Sequence, residues 1–215
     1  MLAVLFFVFS SMFKFEIENF PIYLLSGIIT YNFFKNGTTI ALSSLSNRSS
    51  LITQIYFPRS IPAISSTFTA SIMLIVELAV LGAFMVYFQF TPSLTILYLI
   101  PIYVLAFVLV LGIALGLSVL NVKFRDIEFI WGIVLHAGFF LTPIFYQFKM
   151  LPEEIQNILQ LSPVVQIVEM VHHVTLYGTL PSLNSVLYSV GSIFAILGIG
   201  YLIFRKYQAR IVEEL

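Results

Sequence analysis

From Leu94 to Leu120 the chain reads "LTILYLIPIYVLAFVLVLGIALGLSVL", without a charged residue. Coiled as an α-helix rising 1.5 Å per residue, such a run crosses the roughly 30 Å hydrocarbon core of a bilayer, which takes about 20 apolar residues. Three more runs are of the same kind. Ile22 to Ala41 contains only Lys35, placed late enough to reach the interface, with Asn19 and Pro21 ahead of it as cap and first-turn proline; Ile64 to Phe88 contains only Glu77; Leu183 to Phe204 contains no charge. "FIWGIVLHAGFFLTPIFY", Phe129 to Tyr146, reads as a slightly short fifth span with Pro143 near its end. Leu2 to Phe13 would reach only about 18 Å as a helix. It lacks the basic leader and small-residue cleavage site of a secretory signal, and reads as a truncated first span, residues 1–13.

Composition agrees. The chain is 60% hydrophobic, 9% charged, rich in Phe (22) and Tyr (11), and has a mean hydropathy of +1.02. The expected fold is therefore all-α: a polytopic integral membrane protein with six transmembrane helices, the first truncated, in one transmembrane domain over residues 1–215. Zero net charge and the lack of any like-charged run give no basis for a nucleic-acid partner. The absence of cysteine removes disulfides, thiolate catalysis and sulfur-ligated metals.

Between the fifth and last runs lies "LPEEIQNILQLSPVVQIVEMVHHVTLYG", residues 151–178, which breaks at Ser162-Pro163 into two helical pieces too short to cross. Val164, Val168, Val171 and Leu176 give the second piece an apolar side; Glu169, His172 and His173 are expected on a wet one. This pattern predicts a re-entrant or interfacial hairpin. Orientation follows from the basic residues. Alternating sides places Lys35, Arg48, Arg59, Lys123, Arg125, Arg205, Lys206 and Arg210 together, against Lys14 and Lys149 opposite. By the positive-inside rule the larger group is cytoplasmic, the C-terminus with it, and the hairpin is external.

Catalytic chemistry finds little support. There is no phosphate loop, so the chain does not hydrolyse ATP itself. His172 and His173 are adjacent and point different ways on a helix, while His136 is a span away, so no metal site is expected. The acidic pair Glu153-Glu154 follows Pro152, where it complements a helix dipole. Glu77 stands mid-span, where an ionised carboxylate costs on the order of 3 kcal/mol, and must face protein or water. Either it is a polar contact on a substrate or proton path, or it is a hydrogen-bonded link between helices. Gly112 and Gly116 form a G-x-x-x-G that packs either within the chain or between copies. In the loop after the second span, Leu45, Ile52, Ile55 and Tyr56 share one side of a short amphipathic helix, residues 42–57, stopped by Pro58; it either lies on the membrane or docks a partner.

Two loops together carry a resemblance. "NRSSLITQIYFPRSIPAIS" resembles the segment after the second span of ABC-2 type permeases that export polysaccharides, with its Asn, Leu-Ile pair, aromatic-Pro-Arg and following Pro. "GLSVLNVKFRDIEFI" resembles the same family's Asn-Val-x-aromatic-Arg-Asp elbow, and "LTPIFY" and "LSPVVQIV" its later Pro segments. The resemblance runs from about Ala3 to Leu215, in order and spacing. It implies a permease subunit that pairs with a separate ABC ATPase carrying ATP and magnesium, forms a homodimer in the cytoplasmic (inner) membrane among membrane lipids, and moves a lipid-linked polysaccharide such as O-antigen, capsule or teichoic acid. It further implies that Leu51, Ile52, Ile55, Tyr56 and Arg59 belong to the coupling helix on the ATPase, and that Asn121, Arg125 and Asp126, in the cytoplasmic elbow 121–128, meet a lipid-diphosphate head. Arg125 has a planar donor fork suited to a diphosphate, and Asn121 lies one turn earlier on the same face. The plain alternative is that Lys123 and Arg125 set topology and pair with Asp126 and Glu128. Two departures stand out: set against the family, the chain reads as lacking an amphipathic helix and a complete first span ahead of Met1, and Ser162 replaces a frequent Asn while Glu169, His172 and His173 occupy positions where the family often has Arg. An exporter of drugs or lipids, and an ATP-independent carrier using Glu77, are the alternative functions.

Overall fold

In the computed structural model, residues 19–48, 58–124 and 126–208 are described. Among them there is no β-strand. Seven α-helices follow in order: α1 Phe20–Leu42, α2 Ile61–Tyr87, α3 Leu99–Lys123, α4 Ile127–Leu141, α5 Glu153–Leu159, α6 Pro163–Thr175 and α7 Leu183–Tyr207, with short 3₁₀ turns at Ser46–Arg48, Leu94–Tyr98 and Phe148–Met150.

Three stretches are long and apolar enough to cross a membrane: Ile61–Tyr87, Leu94–Lys123 and Leu183–Tyr207, with Ile127–Leu141 as a shorter apolar helix. The remaining expected spans differ in instructive ways. The predicted first span, 1–13, lies outside the described residues. The expected span from Ile22 to Ala41 is a helix of full length, 23 residues. Its Ser26, Thr30, Asn32, Asn36, Thr38 and Thr39 leave it less apolar than the other three. It tolerates them because it is the central post of the bundle, packed by α2, α3, α4 and α6. Asn19 occupies its N-cap position in the left-handed region (φ 55°) without a side-chain capping bond; its carbonyl accepts from the backbone of Ile22 and Tyr23 instead.

The fifth predicted span, Phe129 to Tyr146, is shortened to α4. Pro143 disfavours helical geometry in the residue before it, and Thr142 is accordingly extended (φ −78°, ψ 136°). At about 1.5 Å per residue, the 15 residues of α4 fall short of the hydrocarbon thickness.

Helices α3 and α7 make the most extensive pairing in the bundle. Small residues permit it: a Cβ on Gly200 would sit inside the Gly112 carbonyl, and a Cβ on Gly112 would meet Leu197 Cα at 2.7 Å. The G-x-x-x-G of α3 therefore packs within the chain. The interior is continuous from Ile22, Leu25 and Ile29 on α1 through Leu109 and Val110 on α3 to Val171 and Val174 on α6. The outer faces of α2, α4 and α7 present large exposed apolar side chains, among them Ile72, Ile75, Phe129, Phe140, Leu187 and Leu202. Facing lipid, this is the expected arrangement.

Candidate functional site

Two ends of the bundle and a seam between them hold the chemically distinctive residues. At the first end the C-termini of α3 and α7 meet the start of α2. Leu45, Ala63, Val119, Val122 and Phe204 form an apolar floor there. The Arg59 guanidinium donates to the Gln208 carbonyl, satisfying an acceptor just past the end of α7. Lys123 lies over the rings of Phe124 (5.2 Å) and Tyr207 (4.8 Å). It thus makes cation–π contacts, rather than the ion pairs with Asp126 and Glu128 that the sequence offered as an alternative. Asn121 is buried, and its Oδ1 has no hydrogen-bond partner among the described residues. Asp126 is exposed at the N-cap position of α4, again without a side-chain capping bond. Arg59, Lys123, Arg205 and Lys206 all belong to this basic end. Leu51, Ile52, Ile55, Tyr56 and Arg125 lie outside the described residues.

Midway along the bundle Glu77 on α2 lies within electrostatic reach of the Asn32 side chain on α1, while its Oε2 is shielded from solvent and has no hydrogen-bond partner among the described residues. Tyr103 on α3 lies within electrostatic reach of it and shares a 3.1 Å hydrogen bond with Thr30 Oγ1, which itself donates to the Ser26 carbonyl (2.8 Å). The carboxyl faces protein rather than lipid. It belongs to a polar seam joining α1, α2 and α3.

The opposite end is organised by Tyr23. Its hydroxyl lies between the carbonyls of Pro143 (3.1 Å) and Tyr146 (2.7 Å), acceptors left over where α4 stops. Its ring stacks on His172 at 3.8 Å between centroids, 24° between planes. The Tyr23 carbonyl accepts from His172 Nε2 at 3.2 Å, so Nε2 carries a proton. His172 Nδ1 is 4.0 Å from Glu169 Oε1 and makes no hydrogen bond among the described residues. Gly27 leaves room for the ring: a Cβ there would meet Nε2 at 3.1 Å.

His172 was expected on the wet side of α6 and is instead fully buried. The reason is helical geometry. Val165, Val168, His172 and Thr175 recur at intervals of three and four, one buried stripe, whereas Gln166, Glu169 and His173 form the parallel wet stripe. That spacing was present in the sequence and identifies both stripes. Beside the wet stripe lies an open-mouthed cavity of about 670 Å³, walled by α5, the α6 face and the start of α7; Asn184 and Tyr188 on α7, not singled out from sequence, line it. His173 Nδ1 and Thr179 Oγ1 hydrogen-bond at 2.9 Å across its rim. Burial pushes the His173 pKa below its ordinary 6.5, against the opposing pull of Glu169, with Lys149 and His172 adding to the depression.

The chain is 27% identical over 214 residues to an O-antigen export system permease protein RfbA of Klebsiella pneumoniae, covering 99% of this chain and 82% of that protein. A second Klebsiella pneumoniae protein of the same name is 28% identical over the same extent, and a Myxococcus xanthus O-antigen export system permease protein RfbA is 28% identical over 158 residues, 71% of this chain and 59% of that protein. The pattern of the ABC-2 type transporter family matches residues 1–176, taking in the basic elbow, the polar seam and both hairpin helices, and this chain belongs to that family of membrane transport subunits.

Proposed function

We propose that this chain is the permease subunit of an ATP-driven exporter of lipid-linked polysaccharide, working with a separate ABC ATPase and as a homodimer in the cytoplasmic membrane, with six spans and an external re-entrant hairpin. The carrying observation is the similarity over 99% of the chain to permeases of O-antigen export systems. The geometry of the basic end supports the reading. Arg59, next to the loop that holds Leu51, Ile52, Ile55 and Tyr56, is bonded to the end of α7, and the elbow after α3 touches Tyr207. An ATPase pressing on that loop would therefore act on three helix ends at once. In this reading the basic end is cytoplasmic, Ile52 and Ile55 anchor the ATPase, and Asn121, Arg125 and Asp126 receive the diphosphate head. No catalytic role is assigned to any residue of the chain.

The test is surface glycan in a permease-deficient host given this chain and its ATPase. Glycan is expected only with an intact ATP site, and Ile52→Asp with Ile55→Asp is expected to abolish ATPase copurification while leaving membrane insertion intact. Export with the ATP site disabled would overturn the proposal and favour the ATP-independent carrier. Arg125→Lys separates gate from topology. It keeps the charge and loses the bidentate fork, so export should fall while protease mapping shows unchanged orientation; normal export would remove the diphosphate role.

A further inference from the structure

We propose that the cavity between α5, α6 and the start of α7 is a binding site for a neutral glycan segment of one or two sugar rings. The inference rests on the polysaccharide reading for its substrate class alone. The site is built rather than left over: Gln166 at its back accepts from Ser189 on α7 and donates to the Gln160 carbonyl, joining the three walls. Its volume, about 670 Å³, lies within the roughly 300–1,000 Å³ of ligand pockets. Two lining carboxamides, Asn157 and Asn184, have no hydrogen-bond partner among the described residues. Each offers both a donor and an acceptor, the pairing that a sugar's adjacent hydroxyls complete. Tyr188 is 43% exposed and supplies an aromatic face for the apolar side of a ring.

Charge selects the kind of sugar. Among the lining residues Glu169 is the one carboxylate, there is no lysine or arginine, and burial holds His173 towards its neutral form. A uronate or phosphate group would face Glu169, and Lys149, which acts on His173 electrostatically, is not among the lining residues that could pair with it. Neutral sugars meet no such penalty.

The natural absence of cysteine makes the test direct. With the full chain in lipid nanodiscs, Leu180→Cys gives a single thiol on the cavity wall at a residue not assigned to sugar contact, and Thr91→Cys an exposed control; labelling by a small water-soluble maleimide is timed with maltotriose, mannotriose or trigalacturonate. At least one neutral trisaccharide should slow labelling at position 180 several-fold and leave position 91 unchanged. Trigalacturonate should give no protection until Glu169→Gln is added. Tyr188→Leu, a surface change whose folding is checked by gel filtration, should remove the neutral protection. The proposal is overturned by failure of both neutral probes, by equal protection from trigalacturonate, by protection that survives Tyr188→Leu, or by a thiol unreactive until delipidation, which would identify a lipid chain as the occupant. None of these measurements involves the ATPase. Loss of protection with ATP-dependent export intact sinks the cavity alone, and ATP-independent export sinks the transport reading alone.

Discussion

Helices α1 and α7 have nearly the same length and opposite relations to their surroundings. The less apolar α1 carries six Ser, Thr and Asn residues between Ser26 and Thr39, and buries most of its length. The more apolar α7 buries only Ser189, Ile193, Gly200 and Phe204, a single stripe along one side. In water this ordering would be reversed. Where the solvent is hydrocarbon, apolar side chains gain little by leaving it, so burial is decided by close packing and by hydrogen bonds between helices. Polarity marks the inside of this bundle, and small residues mark the contact.

If close packing governs α7, the largest effect belongs to its buried glycine. Gly200→Leu places a side chain in the Gly112 carbonyl, backbone that cannot step aside, and should destabilise by more than about 3 kcal/mol, read as loss of the monodisperse peak in detergent. Gly191→Leu and Gly198→Leu, on the same helix but with open space around them, should change stability by only about 0.5 kcal/mol. Similar damage at all three positions would break the comparison, because it would mean that α7 is packed on every side.

Hydrogen bonding around α1 is tested next. Glu77→Leu leaves Asn32 facing an apolar side chain and should cost about 1–3 kcal/mol, whereas Glu77→Gln keeps a polar neighbour and should cost less. Thermal denaturation in detergent measures both. Equal stability of the two variants would remove the seam from the account of why α1 carries its polar residues. Export by Glu77→Gln at the wild-type level would further show that no proton needs to leave this carboxyl.

The smallest effect is at the wet stripe of α6. His173 has a depressed pKa from burial and faces Glu169, Lys149, His172, Tyr177 and Thr179. Between its folded value and 6.5 the unfolded chain binds more protons than the folded one. Stability from the neutral ring is therefore complete above 6.5 and declines as pH falls through that value, levelling off below the folded pKa. His173→Asn should flatten this part of the melting-temperature profile. An unchanged slope would assign it to other groups.

Much of this architecture was legible in the sequence, for identifiable reasons. Runs with at most one charge located α2, α3 and α7 because a hydrocarbon solvent punishes charge along any exposed face. The break at Ser162-Pro163 separated α5 from α6, since proline cannot continue a helix from the preceding residue. Other features were hidden. Counting apolar residues treats α1 as one more span, yet its many tertiary partners come from elements far along the chain. His172 is polar like Glu169 and His173, which suggests the wet side, but neighbours on a helix point about 100° apart and its spacing from Val168 places it on the buried stripe. The cavity was invisible because α7 contributes residues to it that have no distinctive local pattern. The coupling and gate roles were expected only from two motifs taken together, and Ile52, Ile55 and Arg125 lie outside the described residues.

Tyr23 has a mechanical meaning beyond its bonds. Through one phenol and one carbonyl it moors both the broken end of α4 and the buried side of α6, while Trp131 near the start of α4 donates to Thr38 (3.1 Å) near the other end of α1. At 23 residues α1 is about 34 Å long, so it spans the distance between the basic end and the hairpin. A rotation imposed on its Leu42 end would be delivered to α4 and α6 together, like two doors hung on one post, and neither could swing from α1 without first releasing the same tyrosine.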